Sequence, residues 1–150
     1  MLKEGDNVPE FTLENASDES ISLSDFAGKK VVVYFYPKDN TPGCTKEACE
    51  FRDIYDEILA RGAVVLGISA DSVNSHAKFA GKFKLPFHLL SDPEKKVLES
   101  FGAWGKKKLA GREYMGVIRS TFVLDETGTV IKAFPKVKAV GHAAEILTLL

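Results

Sequence analysis

Val31-Val32-Val33-Tyr34-Phe35-Tyr36 decides the fold of this chain. The run is β-branched and aromatic throughout, so it reads as a strand. Its lack of polar alternation predicts burial on both faces. Downstream, Thr41-Pro42-Gly43-Cys44 opens a helix near Pro42, with Thr as the cap residue and Pro at the first helical position. Ala63 to Ser69 is a second buried strand, and a second helix is predicted over Val73 to Phe83. Phe87 to Leu90 is a short apolar run, after which Ser91-Asp92-Pro93-Glu94 reads as another helix start. Val117 to Leu124 and Thr129 to Phe134 read as strands. The turn Asp125-Glu126-Thr127-Gly128 joins them, which predicts an antiparallel hairpin. Gly141-His142 to Leu150 closes the chain with an amphipathic helix. Upstream, Phe11-Thr12-Leu13 and Ser20-Ile21-Ser22-Leu23 read as a small hairpin separated by the polar stretch Glu14 to Glu19.

The order is βαβ, more helix, ββ, then α, which is the order of the thioredoxin fold. The expectation is an α/β domain with a central mixed β-sheet flanked by helices and an extra N-terminal β-hairpin. With 150 residues, 45% of them hydrophobic and 27% charged, one domain over 1–150 has enough apolar surface for a sizeable core. Neither a repeat nor a low-complexity linker divides it. Twenty Lys and Arg against 21 Asp and Glu give a net charge of −1, which argues against nucleic acid as a partner. No apolar run approaches the ~18–20 residues that span a bilayer, so no membrane partner is expected. Met1-Leu2-Lys3-Glu4-Gly5-Asp6 lacks the apolar core of a signal peptide. A reducing cytoplasm is the compartment expected, and there two lone cysteines stay as thiols. The cluster Lys106-Lys107-Lys108 reads as a solvated loop.

Two cysteines are far too few for a disulfide scaffold, so their placement carries the information. Cys44 falls in the first helical turn, where backbone N–H groups lack helical partners and the dipole end is positive. A thiolate is stabilised at such a place. At ~100° per residue, Cys44, Ala48, Phe51, Tyr55, Ile58 and Leu59 share one stripe, and Lys46, Glu50, Asp53 and Glu57 lie opposite. Cys44 thus sits on the protein-facing stripe, at the lip where a pocket can open. Most free cysteines are small core hydrophobes, but the Thr-Pro-Gly context favours a reactive one. Cys49 lies five residues on, and helix geometry puts the two Cα atoms roughly 8.7 Å apart, beyond the ~7 Å reach of a disulfide. Either the thiols never pair, or pairing requires the first turns to unwind from Pro42 and Gly43. Metal binding is not expected. A Cys-x4-Cys pair supplies two ligands where zinc takes about four. His76, His88 and His142 show no ligand spacing and read as surface or loop groups.

Pro37-x-x-x-Thr41-x-x-Cys44 resembles the active-site motif of the peroxiredoxins. With Cys49 five residues later, the segment is similar to the bacterioferritin comigratory protein, or peroxiredoxin Q, subfamily. The likeness runs through Gly5-x-x-Val8-Pro9-x-Phe11, Gly67-Ile68-Ser69-x-Asp71, Leu90-Ser91-Asp92-Pro93, Tyr114 to Phe122 and the Asp125/Gly128 turn. The resemblance implies a thiol peroxidase acting on hydrogen peroxide and organic hydroperoxides. Cys44 matches the peroxidatic cysteine, which becomes a sulfenic acid. Cys49 matches the resolving cysteine that some members carry on the same helix, which implies an intramolecular disulfide and local unfolding in each cycle. Arg119 matches the family's active-site arginine. Independently, a cation in the apolar strand Val117 to Leu124 needs a buried partner or a task. Thr41 matches the substrate-orienting hydroxyl, although as a cap it would hold a backbone N–H. Pro37 matches the residue shielding the sulfur from water, and it also ends the strand. A thioredoxin-like dithiol is the implied reductant, no cofactor is called for, and a monomer suffices. Trp104, within the flexible-looking Gly102 to Gly111 stretch, reads as core or loop packing.

A thioredoxin-type disulfide reductase shares the expected fold. It usually needs Cys-x-x-Cys at the helix start and a Pro before the hairpin strand. This chain has Cys-x4-Cys, and Ile118-Arg119-Ser120-Thr121 contains no Pro. A non-catalytic binding domain would leave the Pro/Thr/Cys/Arg set without a purpose.

Overall fold

The apolar run at 31–36 becomes the central strand β3 (Lys30–Phe35), and its side chains divide between two cores. Val31, Val33 and Phe35 face one layer; Val32, Tyr34 and Tyr36 face the other. Burial on both faces is why the run does not alternate with polar residues. In the computed structural model, which describes residues 1–150, β3 pairs in parallel with β4 (Ala63–Ser69). β4 in turn pairs in parallel with β5 (His88–Ser91). On its other side β3 pairs antiparallel with β8 (Ser120–Leu124), followed by β9 (Val130–Phe134). The N-terminal hairpin, β1 (Thr12–Asn15) and β2 (Ser20–Ser22), pairs antiparallel with β5 through β1. It therefore extends the main sheet, giving seven strands in the order β2-β1-β5-β4-β3-β8-β9.

Helices α1 (Pro42–Asp53), α2 (Tyr55–Ala60), α3 (Val73–Phe83) and α5 (His142–Leu147) cover the face carrying Val32, Tyr34 and Tyr36. Helix α4 (Lys96–Phe101) packs Val97, Leu98 and Phe101 against the opposite face. The expected mixed sheet flanked by helices is the observed architecture.

Several expectations need correction. The stripe from Cys44 to Ile58 is buried, but the helix breaks at Ile54 (φ −115°, ψ 12°). The changed phase turns Leu59 out to 46% exposure. Ser91 closes β5 rather than capping a helix. Lys95, in the left-handed region (φ 63°), directly precedes α4, and Asp92 Oδ2 accepts the Leu98 N–H at 2.8 Å from outside it. The carboxylate does the capping work across a tight turn that Pro93 and Glu94 occupy. The strand expected over Val117 to Leu124 is interrupted at Ile118 and Arg119, because β7 (Arg112–Val117) turns away to pair with β6 (Trp104–Leu109). The Gly102 to Gly111 stretch is thus half of a projecting hairpin. Lys106 to Lys108 lie on a strand, with Lys107 half-buried and its Nζ donating to Val117 O at 2.9 Å. His76 and His142 are buried, not surface or loop groups, since each finds polar partners inside the helical layer.

Candidate active site

The C-terminal end of β3 delivers the chain into a short irregular segment, Tyr36 to Thr41, and then into α1. Pro37 is half-buried at the bend after β3, where its missing N–H costs the sheet nothing. Thr41 is extended (φ −97°, ψ 155°), as a residue preceding proline must be, and Pro42 takes the first helical position. The expected cap is only half realised. Thr41 holds the cap position, yet its hydroxyl donates to Lys38 O at 2.8 Å and accepts nothing from the helix. Its oxygen lone pairs therefore remain available at the helix mouth. Cys44, two residues inside α1, is 2% exposed.

Arg119 reaches this sulfur from the interruption between β7 and β8. Its Nη2 donates to Cys44 Sγ at 3.1 Å, and its Nη1 donates to Glu47 Oε1 at 2.7 Å. The backbone around it is held by Ile118 N–H on Ala103 O (2.7 Å) and Val137 N–H on Arg119 O (3.0 Å). A side chain at Gly43 would put its Cβ 3.3 Å from Arg119 Nη2, so the bare backbone there leaves the guanidinium its path. Burial works against the Arg119 charge, but Glu47 and Cys44 outweigh it and hold the group above its ordinary value. Glu47 is fully buried, and its Oε2 has no partner. Burial pushes its carboxyl up to about 7, against the pull of Arg119.

Cys49 is half-buried farther along α1, and neither cysteine is in a disulfide. The helix is continuous across both, so their Cα atoms stand roughly 8.7 Å apart, too far to bridge. Of the five residues singled out from the sequence, Cys44 and Arg119 are in direct contact. Thr41 and Pro37 lie on the segment leading into α1, and Cys49 stands apart. Glu47 was not singled out, although its place three residues after Cys44 put it on the same helical face. Neither was the network beside the incoming segment, where Asp39, Asp71 and His76 offer ligand-type atoms within 4.8 Å of one another. Those carboxylates already accept from Tyr36, Ser69, Ser75 and the Asp39 N–H, which makes the group a closed hydrogen-bond network. A groove of about 860 Å³ lies between β1 and the start of α4 and includes neither cysteine nor Arg119.

A sulfur in a helix N-terminal turn, gripped by an arginine whose second nitrogen is held by a buried carboxylate, has a fixed cation beside it that can stabilise negative charge developing on a neighbouring oxygen. The AhpC/TSA family pattern matches residues 5–133. The chain is 49% identical over 146 residues to the putative peroxiredoxin bcp of Coxiella burnetii, covering 97% of both chains. It is also 49% identical to peroxiredoxin Bcp of Bacillus subtilis, covering 97% of this chain and 93% of that one. Among solved structures, a Xylella fastidiosa PrxQ mutant superposes with a TM-score of 0.94 at 34% identity, over 99% of this chain and 95% of that chain. The bacterioferritin comigratory protein of Xanthomonas campestris gives 0.88 at 38% identity, over 93% and 88%. Site geometry, family pattern and full-length likeness agree: the chain belongs to the AhpC/TSA family, as a peroxiredoxin thiol peroxidase of the Bcp and PrxQ type.

Proposed function

We propose that this peroxidase uses Cys44 to reduce hydrogen peroxide and organic hydroperoxides and Cys49 to resolve the product. The reading rests on the 3.1 Å contact between Arg119 Nη2 and Cys44 Sγ at the α1 N-terminus. The Cys44 thiolate attacks one peroxide oxygen, the O–O bond breaks, and the leaving oxygen takes a proton to become water or an alcohol. Cys44 is left as a sulfenic acid. Arg119 stabilises the thiolate and the departing oxygen. The Thr41 hydroxyl, anchored on Lys38 O, orients the peroxide, and Pro37 keeps bulk water from the sulfur. The Cys49 thiolate then attacks the Cys44 sulfur, the S–S bond forms, and the hydroxide leaves as water.

That second step requires α1 to unwind from its Pro42–Gly43 end, since the helical distance forbids a disulfide. A thioredoxin-like dithiol returns both thiols by exchange. Organic hydroperoxides are included because the Xanthomonas campestris relative is described by its alkyl peroxide reduction activity. An intramolecular cysteine pair needs no second subunit, so residues 1–150 act as one domain and a monomer, recycled in a reducing cytoplasm. No helix of the chain is long and apolar enough to cross a membrane.

One equivalent of hydroperoxide should consume both thiols with no intermolecular cross-link. Cys44→Ser should abolish turnover, and retained peroxidase activity in that variant would sink the assignment. Cys49→Ser should leave the first turnover intact and trap a sulfenic acid that dimedone labels. Normal cycling of that variant with thioredoxin would remove Cys49 from the mechanism.

A further inference from the structure

Asp39 is the one side chain of the segment between Pro37 and Thr41 that turns fully inward, and it is 6% exposed. Its Oδ1 accepts from Tyr36 OH at 2.6 Å. Its Oδ2 accepts from Ser75 Oγ at 2.8 Å and meets His76 Nδ1 at 2.7 Å. Its backbone N–H donates to Asp71 Oδ2 at 2.8 Å, an oxygen that also accepts from Ser69 Oγ at 2.7 Å. The opposite ring nitrogen of His76, Nε2, donates to Leu90 O at 2.9 Å. One proton lies between Nδ1 and Oδ2 whichever atom holds it. His76 is fully buried on α3, and the thiol chemistry makes no use of it.

This network ties the segment to three elements: the exit of β4 through Ser69 and Asp71, α3 through Ser75 and His76, and β5 through Leu90; the only other side-chain tie is an exposed one, from Lys82 Nζ on α3 to Asn40 Oδ1 at 3.3 Å. The segment it holds is short and sharply turned, with Asn40 in the left-handed region at φ 59°. Immediately beyond Asn40 lie Thr41 and the first turn of α1. No other buried side chain of residues 37–41 ties that turn to the scaffold.

We propose that Asp39 and His76 are a positioning pair. They clamp the segment carrying Pro37 and Thr41 in the peroxide-ready shape, and the strength of the clamp sets how readily the first turn of α1 unwinds. Neither residue touches the reacting sulfur or oxygens; both act through the segment. The inference rests on the peroxidase reading above. It has a signature that a plain stability role lacks, because the two halves of the cycle need opposite conformations. Cys44 oxidation needs the clamped segment, and closure onto Cys49 needs the released one. Loosening the clamp should slow the first and speed the second.

The test measures both steps by stopped flow on reduced wild-type protein and on Asp39→Asn, His76→Gln and Ser75→Ala, with amide exchange over residues 38–46. Asp39→Asn and His76→Gln should lower the second-order rate of Cys44 oxidation by about tenfold, the factor by which the competent shape is depopulated. The same variants should raise the rate of disulfide closure and speed exchange over 38–46, leaving exchange in β3 and β4 unchanged. Ser75→Ala removes one donor and keeps the Asp39–His76 contact, so it should move the same quantities in the same directions by less. That variant keeps the test usable should the other two fail to fold. Unchanged rates and exchange in the folded variants would overturn the clamp, as would equal slowing of both steps. A wild-type protein whose Cys44 is not oxidised by peroxide would instead overturn the peroxidase reading itself.

Discussion

Arg119 Nη2 donates to Cys44 Sγ at 3.1 Å although 75 residues separate the two in the chain. The contact exists because β8 lies beside β3. That pairing carries the interruption before β8 to the end of the sheet where β3 hands over to α1. The guanidinium arrives with its second nitrogen already engaged by Glu47, so its plane is set before any substrate enters.

Arg119→Lys keeps the charge and loses the fork. One ammonium cannot hold Glu47 Oε1 and Cys44 Sγ in the same geometry. A hydrogen bond to a charged group contributes about 1.5–3 kcal/mol, so Cys44 oxidation should slow by about 10- to 100-fold. Stopped-flow rates with hydrogen peroxide check this, and a change below about twofold would remove Arg119 from the reaction.

Glu47 gives stability a pH dependence with a definite sign. Its carboxyl rises from the ordinary 4.5 to about 7 on folding, chiefly through burial. Between those values the folded chain binds more protons than the unfolded one, so this contribution to stability falls as pH rises through the window and is level above it. The size is roughly 3 kcal/mol. Glu47→Gln should flatten the slope relative to wild type in urea unfolding at pH 5 and pH 8. Parallel pH profiles for the two proteins would contradict the burial argument.

Lys107 is a second cation near the sulfur. Burial chiefly, and Arg119 next, pull its ammonium below its ordinary value, while Cys44 pulls it upward. Lys107→Met should slow Cys44 oxidation by about 2- to 5-fold at low salt, the scale of a partly exposed charge pair. Added salt should shrink the difference between variant and wild type, because salt screens such pairs. A salt-independent defect would point to hairpin packing instead.

Two glycines should respond in opposite ways to alanine. At Gly67 on β4 an added Cβ would lie 2.9 Å from Tyr34 Cζ and Oη and 3.0 Å from Leu89 Cδ2, inside a packed core. Gly67→Ala should cost about 1–3 kcal/mol. Gly81 on α3 has open space around it, and Gly81→Ala should stabilise by about 0.5–1 kcal/mol through helix propensity. Denaturant midpoints distinguish the two outcomes.

The chain order of strands and helices was legible because β3 and β4 are buried on both faces, so their unbroken apolar runs stand out from the mixed stretches that form the helices. Interruptions were not legible. The break at Ile54 and the departure of β7 from β8 leave no local mark, since each depends on what the segment packs against. The burial of the histidines was illegible for the same reason. Lone histidines at 76 and 142 carry no signal of burial until Asp39, Leu90, Thr121 and Glu145 are brought to them.

What the sequence determined by itself was local. A Thr-Pro helix start places Cys44 in the first turn, and five residues of helix keep Cys49 out of disulfide range, because both follow from the pitch of a single helix. The tertiary structure decided everything that joins distant segments: Arg119 on the sulfur, Glu47 behind Arg119, and Asp39 clamped by His76 and Asp71. Those contacts depend on β-pairing and layer packing, whose partners lie 32 to 75 residues apart and leave no periodicity in the chain.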